Sequence, residues 1–571
     1  MRFPFACVFV IALAAAACGD GGGPPPPPGV ISLSVGETRA ISSSDAGTIQ
    51  VSGGAGGAEF VLVALHGSQT PGATVALDFS GEQLAAAAGP PTPDLAPAAS
   101  AGPTLARAAM RAAAARASFD ARMRAVERQL APRMPAARAA WAAREAARKD
   151  SRGALMSVAA ADPMVGDAMT LNTHLNPCDT ASNRPGHVVA VSQRAVVVAD
   201  DANPAGGFTP TDYARIAQTF TDSVYPLDTR NFGVPTDIDA NQGRVVIFYT
   251  RAVNEMTPSK SDFYIGGFFH PRDLFPKTSS NPNLPACATS NYAEMFYMLV
   301  PDPSGEVNGN VRTKGFVDSV TVGVLAHEFQ HLINASRRLY VTNASSFEDA
   351  WLNEGLSHIA EELMFYQASG LGPRQNINLT RLLSSPTIRN AANAYQVSNF
   401  GRLIDYLEDP EASSPYGPAD SLATRGAVWQ LLRYAADRST TAEQTVWQNL
   451  VNSRTAGVAN MTAAFGNFLT LVRNWATAQY TDDAVSQTTA TFQHPSWNYR
   501  SVIPQFVQGG TFPLKTRSLA TGGTVSLTLK GGSAAYLRFG VAGNATGRIT
   551  ATRSGGAALP PEVSLMLVRT R

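Results

Sequence analysis

The sequence predicts a multidomain chain in which an α+β domain, made of a sheet subdomain and a helical subdomain, is flanked by small all-β domains. Three observations predict it. Short apolar runs with strand character, Ala195–Ala199, Arg244–Tyr249 and Glu294–Val300, are interleaved with a helical pattern from Thr211 to Tyr225. Beyond about residue 315 the apolar period becomes helical, and Phe347–Tyr366, Arg425–Arg438 and Thr441–Val451 continue it. Both ends alternate apolar and polar residues between glycine-rich turns, as in Ile31–Val35, Glu59–Ala64, Val525–Leu529 and Ala535–Phe539. The two ends are loosely alike and read as related sandwich modules. With 571 residues, 44% hydrophobic and 16% charged, the chain can bury several cores. A net charge of +1 argues against nucleic acid as a partner.

The segment His327-Glu328-Phe329-Gln330-His331 carries the most chemistry. Residues four apart lie on one face of a helix, so His327 and His331 can present ring nitrogens to one metal ion. Glu328, beside the first histidine, can reach a metal-bound water without being a ligand, which is the placement a general base needs. Val317, Val320 and Val324 extend the histidine stripe while Leu325, Phe329 and Leu332 form a buried one, so the motif is expected on a core helix. A catalytic zinc takes three protein ligands and keeps one position open. Glu354, in Trp351-Leu352-Asn353-Glu354-Gly355-Leu356-Ser357, is the candidate third ligand, and it meets the histidines if its helix packs antiparallel to theirs. His358 and Glu361 share its face and, with Glu362, are expected to be solvated.

These residues resemble the gluzincin group of zinc peptidases, in which a Trp-Leu-Asn-Glu-Gly or Asn-Glu-x-x-Ser segment follows the histidine helix and its glutamate binds zinc. Within that group, Ala326–Asn334 and Trp351–Ser357 look most like the hyicolysin-type bacterial metallopeptidases. The strong likeness covers roughly residues 315 to 366 and a looser one extends back to about 185. It implies a zinc metallopeptidase domain with ligands His327, His331 and Glu354, and with Glu328 as the base. A metzincin would need glycine and histidine where this chain has Asn334 and Arg337. Some gluzincins orient a zinc histidine with an aspartate where this chain has His358, whose role is left open. The group commonly adds a tyrosine or histidine as transition-state stabiliser. Tyr395, Tyr406, Tyr416 and His358 are the candidates. An edge strand is expected to pair with extended substrate, with Glu294–Val300 the candidate. The absence of a Gly-x-Met-Glu-Asn segment favours an endopeptidase over an aminopeptidase.

The boundaries follow from composition. Residues 1–18 read as a lipoprotein signal peptide ending at Cys18, the lipidation site, and 19–29 as a Gly/Pro tether. A small β domain is expected over 30–90, the metallopeptidase domain over 160–503 and a C-terminal β domain over 504–571. Between them, 91–159 is rich in alanine and arginine and reads as two exposed basic helices broken at Pro132 and Pro135, either a helical linker or an inhibitory, cleavable prosegment. Beyond Cys7 and Cys18, only Cys178 and Cys287 remain, a pair an oxidising compartment would join. Asp237-Ile-Asp239-Ala-Asn241 resembles a calcium loop with imperfect spacing, so Ca2+ is a weaker expectation than Zn2+, and a turn reads better. The reading is of an extracytoplasmic zinc endopeptidase, lipid-anchored to a bacterial membrane or secreted, that cleaves protein or peptide substrates. The alternative is a cell-surface adhesin or binding protein with an idle zinc-peptidase fold, or an aminopeptidase of the same group.

Overall fold

A computed structural model describes residues 29–87, 113–151, 162–261, 263–278, 286–418 and 420–571. The signal peptide, Cys18, nearly all of the tether and the outer parts of the Ala/Arg-rich segment lie outside the described residues.

The chain is a multidomain α+β structure. Its central sheet has six strands in the order Gly267–Phe269, Met295–Met298, Val245–Tyr249, Ala195–Asp200, Asn183–Val191 and Ala168–Asn172. The second, third and fourth of these run parallel. Val245–Tyr249 and Met295–Met298 are buried throughout, which is why both read as unbroken apolar runs of β-branched, aromatic and methionine side chains. Glu294–Val300 was the expected edge strand. Its core, Met295–Met298, has partners on both sides, and the edge belongs to Gly267–Phe269. That short edge strand hugs the histidine helix: a Cβ on Gly267 would come within 2.9 Å of Val324 Cγ1.

The histidine helix, Lys314–Ser336, starts at Thr313, whose side chain accepts a hydrogen bond from Phe316 N. The following helix, Ala350–Ser369, ends at Gly370 in the left-handed region. It is not the half-solvated helix expected from its polar residues. His358 and Glu362 are fully buried and Glu361 is nearly so. Helix Leu422–Arg438 covers its outer side, close enough that a Cβ on Gly355 would sit 2.8 Å from both Leu432 and Val428.

The two flanking β segments are not separate modules. Their strands interleave in the same two five-stranded sheets, with Ala58–His66 between Ala534–Val541 and Val563–Arg569, and Thr74–Glu82 between Thr524–Lys530 and Thr546–Arg553. One sandwich therefore closes the described chain on itself. Strand Ala58–His66 alternates between two cores: Phe60, Leu62 and Ala64 face the sandwich interior, while Val61, Val63 and Leu65 join the core of the helical subdomain. The sandwich is thus fixed to the α+β domain by apolar contact. Cys178 and Cys287 are joined in a disulfide, their Cα atoms 4.7 Å apart.

The Ala/Arg-rich segment forms two helices, Ala113–Leu130 and Met134–Ser151, joined by a short turn. They are not a solvated linker. Met123, Val126, Leu130, Met134 and Ala137 are buried in the cores of the α+β domain. Arg138 donates to Ala344 O at 2.7 Å and Arg144 to Ile238 O at 2.8 Å.

Candidate metal centre

The two helices bring His327, His331 and Glu354 together. The facing ring nitrogens His327 Nε2 and His331 Nε2 are 3.1 Å apart. Glu354 Oε2 is 3.5 Å from the first and Glu354 Oε1 3.7 Å from the second. A tetrahedral zinc with bonds of about 2.0–2.2 Å separates its ligand atoms by about 3.3–3.6 Å. The spacing suits one such ion.

The hydrogen bonds around the histidines point the same way. His327 Nδ1 faces Glu361 Oε1 at 2.8 Å, a geometry that places its proton there and leaves Nε2 with a lone pair. Ser357 Oγ donates to Gln330 Oε1 at 2.7 Å and can therefore accept from His331, whose Nδ1 lies at 3.1 Å and Nε2 at 3.3 Å; with the proton on Nδ1, the nearer nitrogen, Nε2 keeps its lone pair. Both Nε2 lone pairs then face each other and a carboxylate. That arrangement calls for a cation between them, and a zinc ion satisfies it. Without a metal a proton takes this place. Burial by itself would lower the His327 pKa, but Glu354 and Glu361 raise it to about 9, while burial together with His327 and Arg124 drives His331 down to about 3. Burial alone would raise the Glu354 carboxyl, yet Arg425 and His331 hold it well below the usual carboxylate range.

Glu328 is buried, and its Oε2 accepts a hydrogen bond from Phe269 N of the edge strand at 2.9 Å. Glu328 is thus tied to the edge strand. Behind Glu354 stands Arg425, its Nη1 2.8 Å from Glu354 Oε2, and itself gripped by Asp420 through hydrogen bonds of 2.8 and 2.9 Å. In front stands Arg124 of the Ala/Arg-rich helix, its Nη2 2.8 Å from Glu354 Oε1.

The chain is similar to the neutral metalloprotease ShpI of Staphylococcus hyicus. The two are 32% identical over 153 residues, which is 27% of this chain and 31% of that protein. That likeness supports a metallopeptidase relationship. The chain thus spans less than a third of the relative it matches, and no family model matches it.

Of the other expected site residues, His358 lies beside the cluster, its ring 4.9 Å from that of His327 and its Nδ1 3.2 Å from Glu361 Oε1. Burial, followed by Arg402, keeps its pKa well below the ordinary value. The orienting role left open for His358 falls instead to Glu361, one further turn along the helix. Tyr395 is half-buried, and its Cδ1 would lie 3.6 Å from a Cβ at Gly323, one turn before His327. Tyr406 and Tyr416 are not brought to the centre. Tyr406 packs on Trp475, and Tyr416 packs on Trp351 and Phe468 with its hydroxyl toward Ser68 O. Sequence reasoning missed Glu361, Ser357, Asp420, Arg425 and Arg124. For Glu361 a signal existed, because it falls two turns after Glu354. For Arg425 and Asp420 nothing in their local sequence announced the contact.

Proposed function

We propose that this chain is an exported zinc endopeptidase acting on protein or peptide substrates. The convergence of His327, His331 and Glu354 at metal-ligand spacing carries the reading. When bound, zinc would polarise the scissile carbonyl and lower the pKa of the attacking water. Glu361 and Ser357 hold the two imidazoles so that their Nε2 atoms face the metal position. Glu328, fixed by Phe269 N, takes the proton of the attacking water and returns it to the leaving nitrogen. Strand Gly267–Phe269, the edge of the sheet beside the histidine helix, offers its backbone to extended substrate. Tyr395 is the candidate donor to the developing oxyanion. Burial raises its hydroxyl pKa, so the proton is available at neutral pH.

Export rests on the apolar start of the chain, and attachment to a bacterial membrane on a lipid at Cys18; the Cys178–Cys287 disulfide supports an oxidising compartment. Among the described residues no helix is long and apolar enough to cross a membrane.

The test is cleavage of an unstructured protein such as casein, with zinc content measured alongside. Glu328→Ala is expected to keep its zinc and to lose about a hundred- to ten-thousand-fold in kcat. A zinc-loaded wild type that shows no cleavage even after limited proteolysis of the Ala/Arg-rich segment would overturn the reading in favour of a binding protein. Tyr395→Phe is expected to lower kcat by about a hundredfold at unchanged zinc content and KM. An unchanged kcat would remove Tyr395 from the reaction.

A further inference from the structure

A second cluster of oxygen ligands lies away from the centre, where the loop 237–243 meets the residue preceding strand Met295–Met298. Ligand oxygens of Asp237, Asp239 and Glu294 all lie within 4.8 Å of one another. A calcium ion with bonds of about 2.4 Å separates opposite ligands by about 4.8 Å. Among the described residues no lysine, arginine or histidine forms an ion pair with these carboxylates. Glu294 is 2% exposed; its Oε1 accepts from Ile238 N at 2.7 Å, while its Oε2 is buried with no hydrogen-bond partner. Asp237 Oδ1 is buried and unpartnered as well. Unpaired buried carboxylate oxygens are costly unless a cation or a shared proton meets them. Burial, with the neighbouring carboxylates, pushes Asp239 up to about 7 and Glu294 well above its ordinary range, so the cation-free cluster tends to hold a proton.

We propose that Asp237, Asp239 and Glu294 bind a hard divalent cation of the calcium type. This is not the continuous loop the sequence suggested. Asn241 spends its side chain on Asp239 and on both backbone groups of Arg244, and the third ligand comes from the distant Glu294. A cavity of about 350 Å³, lined by Asp237, Glu294, Arg194, Tyr225 and Gln242 among others, opens beside the cluster and leaves room for water ligands. The ion would tie the loop before one central strand to the start of its neighbour. The test is terbium emission sensitised by Tyr225, on full-length protein with zinc saturating. Expected is saturable emission that calcium displaces, lost in Glu294→Gln and weakened at least about tenfold in Asp237→Asn, with zinc content unchanged. Absence of saturable emission, or equal emission in wild type and both variants, would overturn the site and leave a shared proton as the resident of the cluster.

A different observation carries a second inference, on the regulation of the metal centre, and it rests on the peptidase reading. His327, Glu328, His331 and Glu354 are only 3–8% exposed, so little of their surface is open to a peptide in this state. The helical hairpin Ala113–Ser151 covers them. Phe119 packs on Phe268 of the edge strand with ring centroids 5.8 Å apart, where extended substrate would pair. Arg124 reaches in beside it, holding Glu354 Oε1 at 2.8 Å and its own Glu127 at 2.8 Å, with Asp420 at 3.6 Å. A guanidinium there competes with the metal for a ligand oxygen and places a positive charge against the cation position.

The geometry points to Arg124 as a latch that keeps the centre latent until the hairpin is displaced or cut. The exposed Arg122 and Arg128 flank it, and a trypsin-like enzyme would cleave at such residues once the helix opens locally. The experiment compares zinc affinity by chelator competition, and casein cleavage, for the full chain, for Arg124→Ala and Arg124→Lys, and for wild type after limited trypsin digestion. Arg124→Ala and trypsin-cut protein are expected to hold zinc about tenfold tighter and to cleave at least about tenfold faster than the intact chain, with Arg124→Lys in between. Equal zinc affinity and equal cleavage for intact wild type and Arg124→Ala would overturn the latch while leaving the peptidase standing. Tight zinc binding without cleavage in every form would overturn the peptidase instead.

Discussion

The histidine side of the metal centre is assembled by two helices close in sequence, whereas its glutamate side depends on side chains brought from remote stretches. On the first side, His327 leans on Glu361 and His331 on Ser357, whose hydroxyl donates to Gln330, all within helices Lys314–Ser336 and Ala350–Ser369. On the second, Glu354 is shared by Arg425, itself fixed by Asp420, and by Arg124 from a segment more than two hundred residues earlier. The difference separates permanence from control. A contact made inside one helix pair persists as long as the pair is folded. A contact made by a hairpin can be withdrawn without unfolding the rest.

The largest effect expected from this division is at Arg425, which is 1% exposed and ion-paired with two acidic side chains. Arg425→Ala leaves Glu354 and Asp420 buried without that partner and should destabilise the metal-free chain by about 3–5 kcal/mol, read as a fall in denaturant midpoint. Saturating zinc should recover part of that loss by neutralising Glu354. A midpoint that does not move would mean that Glu354 is held by the hairpin alone, and the distinction between a fixed and a removable arginine would fail.

A smaller effect is expected on the histidine side. Glu361→Gln keeps a hydrogen-bond acceptor for His327 Nδ1 but removes the charge, so zinc affinity should fall about ten- to a hundredfold in chelator competition with little change in fold. Arg402, 3.3 Å from Glu361 Oε2, loses an anionic partner in the same variant. If affinity holds while stability drops, Glu361 serves the core and not the metal.

These contrasts also explain what could be read from sequence. The histidine pair was legible because helical spacing fixes which side chains share a face, and a four-residue step needs no tertiary information, whereas Glu354, on another helix, was reached through the resemblance of its segment to zinc peptidases. Glu361 lay on that same face, but a polar helix face is usually wet. Here Leu422–Arg438 and Val397–Glu408 cover it, and nothing in residues 350–369 says so. The strands of the central sheet were legible as buried apolar runs, while their order was not: Gly267–Phe269 is only three residues long, and its edge position comes from pairing with Met295–Met298. The sandwich was read as two modules for a related reason. Alternation marks strands but does not name their partners, and pairing Ala58–His66 with Ala534–Val541 is a contact across nearly the whole chain. The Ala/Arg-rich stretch read as helical from its composition, yet the buried faces of Ala113–Leu130 and Met134–Ser151 depend on Met123, Val126, Leu130 and Met134, a sparse apolar stripe among alanines.

The smallest expected effect concerns Tyr416, which marks the boundary between site and packing. Its ring lies 5.0 Å from Phe468 and 6.3 Å from Trp351, the residue that opens the Glu354 segment, and its hydroxyl donates to Ser68 O of the sandwich at 3.4 Å. A bond that long contributes little, so Tyr416→Phe should cost less than about 1 kcal/mol and leave zinc content, kcat and KM unchanged. Tyr416→Ala removes the ring that joins the helical subdomain to the sandwich and should cost about 3–5 kcal/mol, again without a specific loss of turnover in the folded fraction. A fall in kcat for Tyr416→Phe at unchanged stability would place its hydroxyl in the reaction, and the sandwich would then belong to the active site as well as to the fold.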